Sequence, residues 1–183
     1  MIFAILVSVF TIGAADFDYH GRPTFGDVLK FYVKGQITYL LKRTYIVKLN
    51  GEDPTCIHNK VESVHQDTIQ LQQGYTHQSR DVVYPVEVKV SVHQTTDVAP
   101  SMTAVRTDNR TINRVYYFHY YDPVAQCAVL TFKDYSGIWR CELHTWKEKA
   151  SYKYYGNCQE EYDYQCPGRT SHSVYLSYCP NIK

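Results

Sequence analysis

The segment CAVLTFKDYSGIWRCELHTW (127–146) decides the fold predicted for this chain. Its side chains alternate with a period of two, which is typical of β-strands, and Asp-Tyr-Ser-Gly in its middle supplies a turn. In the second strand Glu142, His144 and Trp146 share one face, while Cys141 lies on the other. The segment therefore predicts a β-hairpin that carries a cysteine on one side of each strand and a candidate contact surface on the opposite side.

Further strand candidates follow one another at short, even intervals along the chain. Alternation and turn residues predict strands over 36–49, 56–66, 68–77, 86–93, 101–107 and 112–121. Helical spacing predicts a short helix over 24–33 and another around QEEYDYQ (159–165). With the hairpin this makes eight strands, and we expect an all-β fold, an eight-stranded antiparallel up-and-down barrel with the C-terminal helix packed on its outside. A β-sandwich is the alternative.

Composition limits the classes of partner. A length of 183 residues predicts a single domain, and Lys plus Arg (19) nearly equals Asp plus Glu (18), so no net field favours nucleic acid or an anionic membrane. We expect a monomer with no nucleic-acid or membrane partner. Tyrosine is abundant, at 18 residues, and it suits both β-structure and pockets for amphipathic ligands.

The first fifteen residues, MIFAILVSVFTIGAA, predict a secretory signal peptide because an apolar run ends in small residues. The mature domain is then 16–183, and we expect it to be extracellular. Asn109-Arg110-Thr111 is an acceptor sequence for N-glycosylation in a predicted surface turn.

Chemistry-bearing motifs are missing from the sequence. It contains no Gly-x-Ser-x-Gly, no HExxH and no phosphate-cradling glycine loop, and its eight histidines are scattered. We therefore expect no catalytic residues, no enzymatic activity, no cofactor and no metal site.

The order of cysteine, turn and Glu-Leu carries a family resemblance. Asp122 is followed by Cys-Ala-Val-Leu (127–130), by Cys-Glu-Leu-His (141–144) and by Cys158. This order resembles the tick salivary lipocalins of the histamine-binding type, in which Cys-Asp-Val-Leu precedes Cys-Glu-Leu-aromatic and a further cysteine follows. The resemblance implies a lipocalin barrel. The chain departs from the family pattern at Ala128, where the family has an acid, and at His144, where it has an aromatic residue.

Six cysteines in an exported chain predict three disulfides, for which sequence alone allows 15 pairings. If Ala128 and Glu142 line a cavity, alternation turns both hairpin cysteines outward, where a helix flanked by the next two cysteines could bond to both strands. We predict the pairs Cys127–Cys158, Cys141–Cys166 and Cys56–Cys179, of which the resemblance also implies the first and the last. A zinc site is the rival, but Cys-x2-Cys spacing is absent.

Glu142 is the strongest ligand-binding candidate. A carboxylate among apolar and aromatic groups is costly to desolvate unless a cation arrives, and a protonated amine would be such a cation. The alternative is a surface glutamate, or one paired with Arg140 or a lysine.

Aromatic residues near Glu142 are the next candidates. His144 and Trp146 share its face, and Tyr116 and Phe118 are expected in the same lining, although alternation does not decide between them and their neighbours Tyr117 and His119. Tyr39 is a weaker candidate on the first long strand. For each of these residues plain core packing is the alternative.

The resemblance implies a secreted protein that sequesters a small host mediator in tick saliva. Glu142 favours histamine or serotonin, whereas Ala128 weakens that assignment because a methyl group cannot bind an amine. A lipid mediator such as a leukotriene is the alternative, with Arg43, Arg140 or Lys42 as its partner. A third possibility is an outer surface that binds a host protein.

Overall fold

The computed structural model describes residues 22–91, 98–153, 155–180 and 182; the predicted signal peptide lies outside these ranges. In chain order the elements are α1 (Phe25–Phe31), β1 (Ile37–Arg43), β2 (Thr55–His65), β3 (Thr68–His77), β4 (Arg80–Ser91), β5 (Ser101–Arg106), β6 (Asn113–Asp122), β7 (Cys127–Lys133), β8 (Trp139–Trp146), a 3-10 turn (Lys147–Lys149), α2 (Asn157–Gln165) and β9 (His172–Ser173). No helix in these ranges is long and apolar enough to cross a membrane.

Eight strands form a closed antiparallel barrel, as predicted. Strands β2 to β8 pair in sequence order, β8 pairs with β1, and β1 pairs with β2, so the sheet closes on itself. The short β9 pairs with the second half of β1. Closure leaves one interior face, and alternate side chains of every strand point into it.

Helix α1 covers one end of the barrel. Thr24 caps it: the Thr24 hydroxyl accepts from the Asp27 N–H, and the Asp27 carboxylate accepts from the Thr24 N–H at 2.9 Å. Val28 and Phe31 are fully buried, and the Trp146 indole N–H donates to the Phe31 carbonyl at 3.0 Å. Val28 and Phe31 belong to the inner cluster, which comprises Val28, Phe31, Tyr32, Val61, Ile69, Leu71, Val86, Val88, Val90, Met102, Phe118, Ala128 and Leu130.

Helix α2 packs against the outside of the barrel and is bonded to it at both ends. The disulfides Cys127–Cys158 and Cys141–Cys166 join it to β7 and β8, and Cys56–Cys179 joins β2 to the C-terminal segment, so the structure has the three predicted pairs. Together with apolar neighbours, the four cysteines that join α2 to β7 and β8 form the outer cluster, which comprises Ile37, Tyr39, Leu41, Cys127, Val129, Cys141, Leu143, Ala150, Cys158, Tyr162 and Cys166.

The first strand is shorter than the sequence predicts. β1 ends at Arg43 rather than at residue 49, because Thr44 makes the last bonds to β8 before the chain turns away. The Thr44 N–H donates to the Cys141 carbonyl at 3.1 Å, and the Thr44 hydroxyl accepts from the Cys141 N–H at 2.9 Å. Tyr45, the next residue, then reaches the Glu142 side chain in the barrel interior.

Candidate ligand-binding cavity

The barrel contains a cavity of about 200 Å³, whose lining includes Tyr32, the residue directly after α1. Ile112 also lines the cavity and is 49% exposed, so the cavity meets solvent beside the start of β6. Its remaining described lining residues are Asn59, Ile69, Leu71, Gln73, Tyr84, Val86, Val88, Met102, Ala104, Arg106, Asn113, Arg114, Tyr116, Leu130, Glu142 and His144.

Glu142 is only 4% exposed, although its side chain is ionisable. Both of its carboxylate oxygens accept hydrogen bonds: Oε1 from the Tyr45 hydroxyl, and Oε2 from the His144 ring at an Nε2 distance of 2.8 Å. Strand alternation explains the second contact, because residues two apart on β8 point the same way. Glu142 is the only acidic side chain among the described residues that line the cavity.

The carboxyl of Glu142 is held in its ionised form. Burial opposes ionisation, but the hydrogen bonds from His144 and Tyr45 and the positive field of Arg114 outweigh it and lower the pKa of Glu142 from its ordinary value of 4.5. Burial and the nearby carboxylate hold the pKa of Tyr45 well above its ordinary value, so this hydroxyl keeps the proton that it donates.

His144 leaves one polar atom unused. It is 4% exposed, its Nε2 faces Glu142, and its Nδ1 is buried without a hydrogen-bond partner among the described residues. With Nε2 donating to the carboxylate, Nδ1 is an acceptor in a neutral ring and a donor in an imidazolium. Glu142 therefore offers a ligand a carboxylate, and His144 offers one further polar atom beside it.

A cation and three aromatic rings lie on the same side of the cavity. The Arg114 guanidinium carbon lies 4.0 Å from the Phe132 ring centroid, and Arg114 Nη1 lies 3.4 Å from the Tyr116 hydroxyl. The Phe132 ring also packs edge-on against Tyr45 and Tyr116. Arg114 is exposed at the mouth of the cavity. Partial desolvation of the guanidinium opposes its charge, but Tyr116 and Glu142 together keep the pKa of Arg114 above its ordinary value.

A neutral polar wall lies on the other side. The Tyr84 hydroxyl donates to Gln73 Oε1, and Gln73 Nε2 donates to Asn59 Oδ1 at 2.9 Å. Asn59 Nδ2 in turn lies 3.5 Å from the Thr38 hydroxyl. We call Asn59, Gln73 and Tyr84 the amide wall. It is built from β2, β3 and β4, which face β6, β7 and β8 across an eight-stranded ring.

The structure brings together three of the six predicted ligand residues. Glu142, His144 and Tyr116 line the cavity. Phe118 and Trp146 point to the interior as predicted, but they pack beside Phe31 under the α1 cap rather than against the cavity. The face of β6 that alternation left undecided is thereby assigned, with Tyr116 and Phe118 inward.

Tyr39, the sixth predicted residue, lies on the outer face of the barrel instead. Thr38 points inward to Asn59, so its neighbour Tyr39 points outward. The Tyr39 hydroxyl donates to the Pro180 carbonyl at 2.7 Å, and its ring lies 5.0 Å from that of Tyr175.

The cations suggested for an anionic ligand lie in different places. Lys42 is on the outside, where it donates to Gln159 of α2, and Arg140 is paired with Asp134 in the hairpin turn at 2.7 Å. Arg43 is buried next to the Tyr45 ring but does not line the cavity.

Several contributors to the site were not predicted, among them Arg114 and Tyr45 beside Glu142. Arg114 shares its face with Tyr116 and Phe118 two and four residues later, so alternation contained the signal once that face was assigned. Tyr45 carried no comparable signal, because the predicted strand continued past it.

The sequon asparagine, Asn109, is exposed in the turn between β5 and β6. Its Oδ1 accepts from the Thr111 N–H at 3.3 Å and from the Thr111 hydroxyl at 2.7 Å. Glycosylation at Asn109 stays a prediction. Within the described ranges no group of three or more His, Cys, Asp or Glu side chains is placed to hold a metal ion.

The sequence matches the family model described as tick histamine binding protein over residues 26–181. The chain belongs to that family. No curated protein matches it. Among solved structures, the AM182 serotonin complex aligns with a TM-score of 0.67 and 15% identity over 92% of this chain and 100% of AM182. Japanin from Rhipicephalus appendiculatus bound to cholesterol aligns with a TM-score of 0.57 and 14% identity, over 80% of this chain and 96% of japanin.

Membership makes this chain a tick lipocalin of a ligand-binding type. Ala128 is fully buried and pairs across the strands with His144. A methyl group therefore lies beside the imidazole at the position where the resemblance implies an acid. In this member of the tick histamine-binding family, Glu142 supplies the negative charge of the described cavity lining alone.

Proposed function

We propose that this tick lipocalin binds a small protonated amine of the histamine or serotonin class in its barrel cavity, with Glu142 as the counter-ion. The observation that carries the proposal is a carboxylate held ionised at 4% exposure in the cavity lining. Keeping a buried carboxylate charged is costly unless a cation or several donors face it, so such groups cluster at functional sites.

The hydrogen-bonding capacity around Glu142 suits an ammonium group. A carboxylate has about four lone-pair sites, and Tyr45 and His144 use two of them. The remaining sites can accept the N–H donors of a primary amine, and Nδ1 of a neutral His144 would add a further acceptor. Tyr32 and Tyr116 line the same cavity, and their ring faces can add cation–π attraction.

The size of the cavity supports a ligand with one or two small rings. A dry cavity of about 150 Å³ holds benzene, and the cavity here measures about 200 Å³. A ring with a short aminoalkyl arm is of this order, whereas a sterol or a twenty-carbon lipid needs a larger space.

The biological role that follows is sequestration rather than conversion. We infer that the protein is secreted in saliva, withdraws the mediator from the host and so blunts inflammation. Three disulfides suit an oxidising, extracellular environment. The proposal includes no turnover of the ligand.

Arg114 favours a second candidate, an anionic lipid mediator. Its guanidinium lines the cavity and stacks on Phe132, where it can bind a carboxylate. The amine is preferred because Arg114 already lies within the field of Glu142, and because the cavity is small.

Calorimetric titration with histamine, serotonin and a leukotriene separates the two candidates. Glu142→Gln keeps the side-chain shape and removes the charge, and losing one member of a buried charge pair costs about 2 to 5 kcal/mol. Amine affinity should therefore fall by roughly 30-fold or more. Glu87→Gln, on the outer face of β4 where Glu87 accepts from Gln70, is the matched control and should leave affinity unchanged.

Arg114→Gln provides the reciprocal test. It should leave amine affinity unchanged or raise it, because it removes a like charge from the ligand's surroundings. The same variant should lower the affinity for a leukotriene if the lipid is the ligand. Amine binding that is indifferent to Glu142→Gln would contradict the proposal.

A further inference from the structure

The amide wall has unused hydrogen-bonding capacity that faces the cavity. The Tyr84 hydroxyl donates to Gln73 Oε1, and Gln73 Nε2 donates to Asn59 Oδ1. Each primary amide carries two N–H donors. Among the described residues, Gln73 uses one of them on Asn59, and Asn59 uses one on Thr38 at the long distance of 3.5 Å. One N–H on each amide is left for a partner in the cavity.

Apolar side chains also line the cavity, namely Ile69, Leu71, Val86, Val88, Met102 and Leu130. In the eight-stranded ring Gln73 on β3 lies three strands from Glu142 on β8, and Asn59 on β2 lies two strands from it, across β1. The Arg106 guanidinium lies 4.2 Å over the Tyr84 ring, and its charge is paired with Asp108 at 2.6 Å. The cavity therefore has a carboxylate on one wall and amide donors on another.

We propose that the amide wall recognises an oxygen substituent on the ring of the bound amine, with Gln73 and Asn59 as the specificity-determining residues. This inference rests on the proposed function, since it places the ammonium group at Glu142. A ring hydroxyl is a small neutral acceptor that matches the free amide N–H groups.

The amide wall should produce moderate rather than absolute discrimination. Sites that leave buried donors wholly unpaired reject a ligand without the matching group very strongly. Here the amides already bond to one another, so only the net value of a neutral hydrogen bond is at stake. We expect the hydroxyl to be worth about threefold to tenfold in affinity.

Calorimetry with serotonin and tryptamine, which differ only in the ring hydroxyl, tests this inference. The protein should bind serotonin about threefold to tenfold more tightly than tryptamine. Gln73→Met, which keeps length and removes the amide, should bring the two affinities to within about twofold of each other by lowering that for serotonin. Gln72→Met, one residue earlier and on the opposite face of β3, is the matched control and should keep the wild-type ratio.

The possible failures are distinguishable. Equal affinities of the unaltered protein for the two amines would overturn the role of the amide wall and leave Glu142 as the amine site. Failure of the unaltered protein to bind either amine would overturn the proposed function and this inference with it. Two further results would show a general packing effect and also overturn the inference. One is an equal loss of affinity for both amines in Gln73→Met. The other is a loss of the wild-type affinity ratio in Gln72→Met.

Discussion

The two faces of the β7–β8 hairpin are both buried, but by different means. On the outer face Cys127, Cys141 and Leu143 are covered by α2, and two disulfides make that cover covalent. On the inner face Glu142 and His144 are equally inaccessible, yet they border a cavity instead of a packed neighbour. The outer face is buried by apolar and covalent contacts, whereas the inner face surrounds a charge.

This difference predicts that the two faces of a single pair of strands contribute differently to stability and to ligand affinity. Apolar burial and loop closure stabilise the folded chain, whereas a buried charge contributes little net stability and is kept where a site needs it. Changes on the outer face should therefore alter stability without altering affinity. Changes on the inner face should alter affinity, and they should also lower stability where they remove a partner of the buried charge.

The largest expected effect lies on the outer face. Cys141 and Cys166 are 25 residues apart, so in the chain-entropy model their bond contributes about 3.5 kcal/mol. Replacing both with alanine should lower the free energy of unfolding by about that amount in urea titrations. Amine affinity of the folded variant should stay within about twofold of the original. A loss of affinity beyond about tenfold would show that the two faces are coupled.

Two tyrosine hydroxyls, one on each side of the barrel wall, allow a second comparison in which only one hydrogen bond is removed. Tyr45 donates to the Glu142 carboxylate on the inner side, and Tyr39 donates to the Pro180 carbonyl on the outer side. Hydrogen bonds to charged groups contribute about 1.5 to 3 kcal/mol and neutral ones about 1 kcal/mol. Tyr45→Phe should therefore destabilise the protein more than Tyr39→Phe in chemical unfolding, and only Tyr45→Phe should alter amine affinity. Equal destabilisation would contradict a charged partner for Tyr45.

The smallest expected effect is a change with pH. Glu142 has a folded-state pKa below its ordinary value of 4.5, because its hydrogen bonds and Arg114 outweigh burial. Its ionised form therefore adds stability that is fully present above that ordinary value and is lost as the pH falls through the lowered one. The difference in unfolding free energy between the unaltered protein and Glu142→Gln should become smaller as the pH is lowered from about 6 to about 3. A difference that stays constant over this range would contradict the assignment.

The alternation of side chains along the strands predicted much of this arrangement from the sequence. It separated Glu142 and His144 from Cys141 correctly, because side-chain direction along a regular strand depends only on parity. Alternation also places Asn59 and Gln73 on the inward faces of their strands, because they share parity with the inward Val61 and Leu71. They were not chosen as ligand residues, because these strands carry many polar side chains and nothing in the sequence distinguishes these two.

Irregular backbone limited the rest. The register of β6 against β7 shifts between Phe118 and Tyr120, so Phe118 and Tyr121 both pack in the interior although they are three residues apart. A similar shift in β1 lies between Leu40 and Lys42. The path of Tyr45 depends on contacts between Thr44 and Cys141, which are 97 residues apart in sequence, and local patterns carry no information about them.

The Cys56–Cys179 bond also governs how the chain responds to a protease. It spans 123 residues and encloses both other disulfides. A single cut of the backbone anywhere between these two cysteines, whether in the hairpin turn, in an exposed loop or beside α2, yields two fragments that remain one covalent molecule. Since seven of the eight barrel strands lie within this loop and β1 is paired to two of them, a nicked protein keeps all the strands of its cavity in reach of one another. Release of a fragment requires a second cut or a reductant.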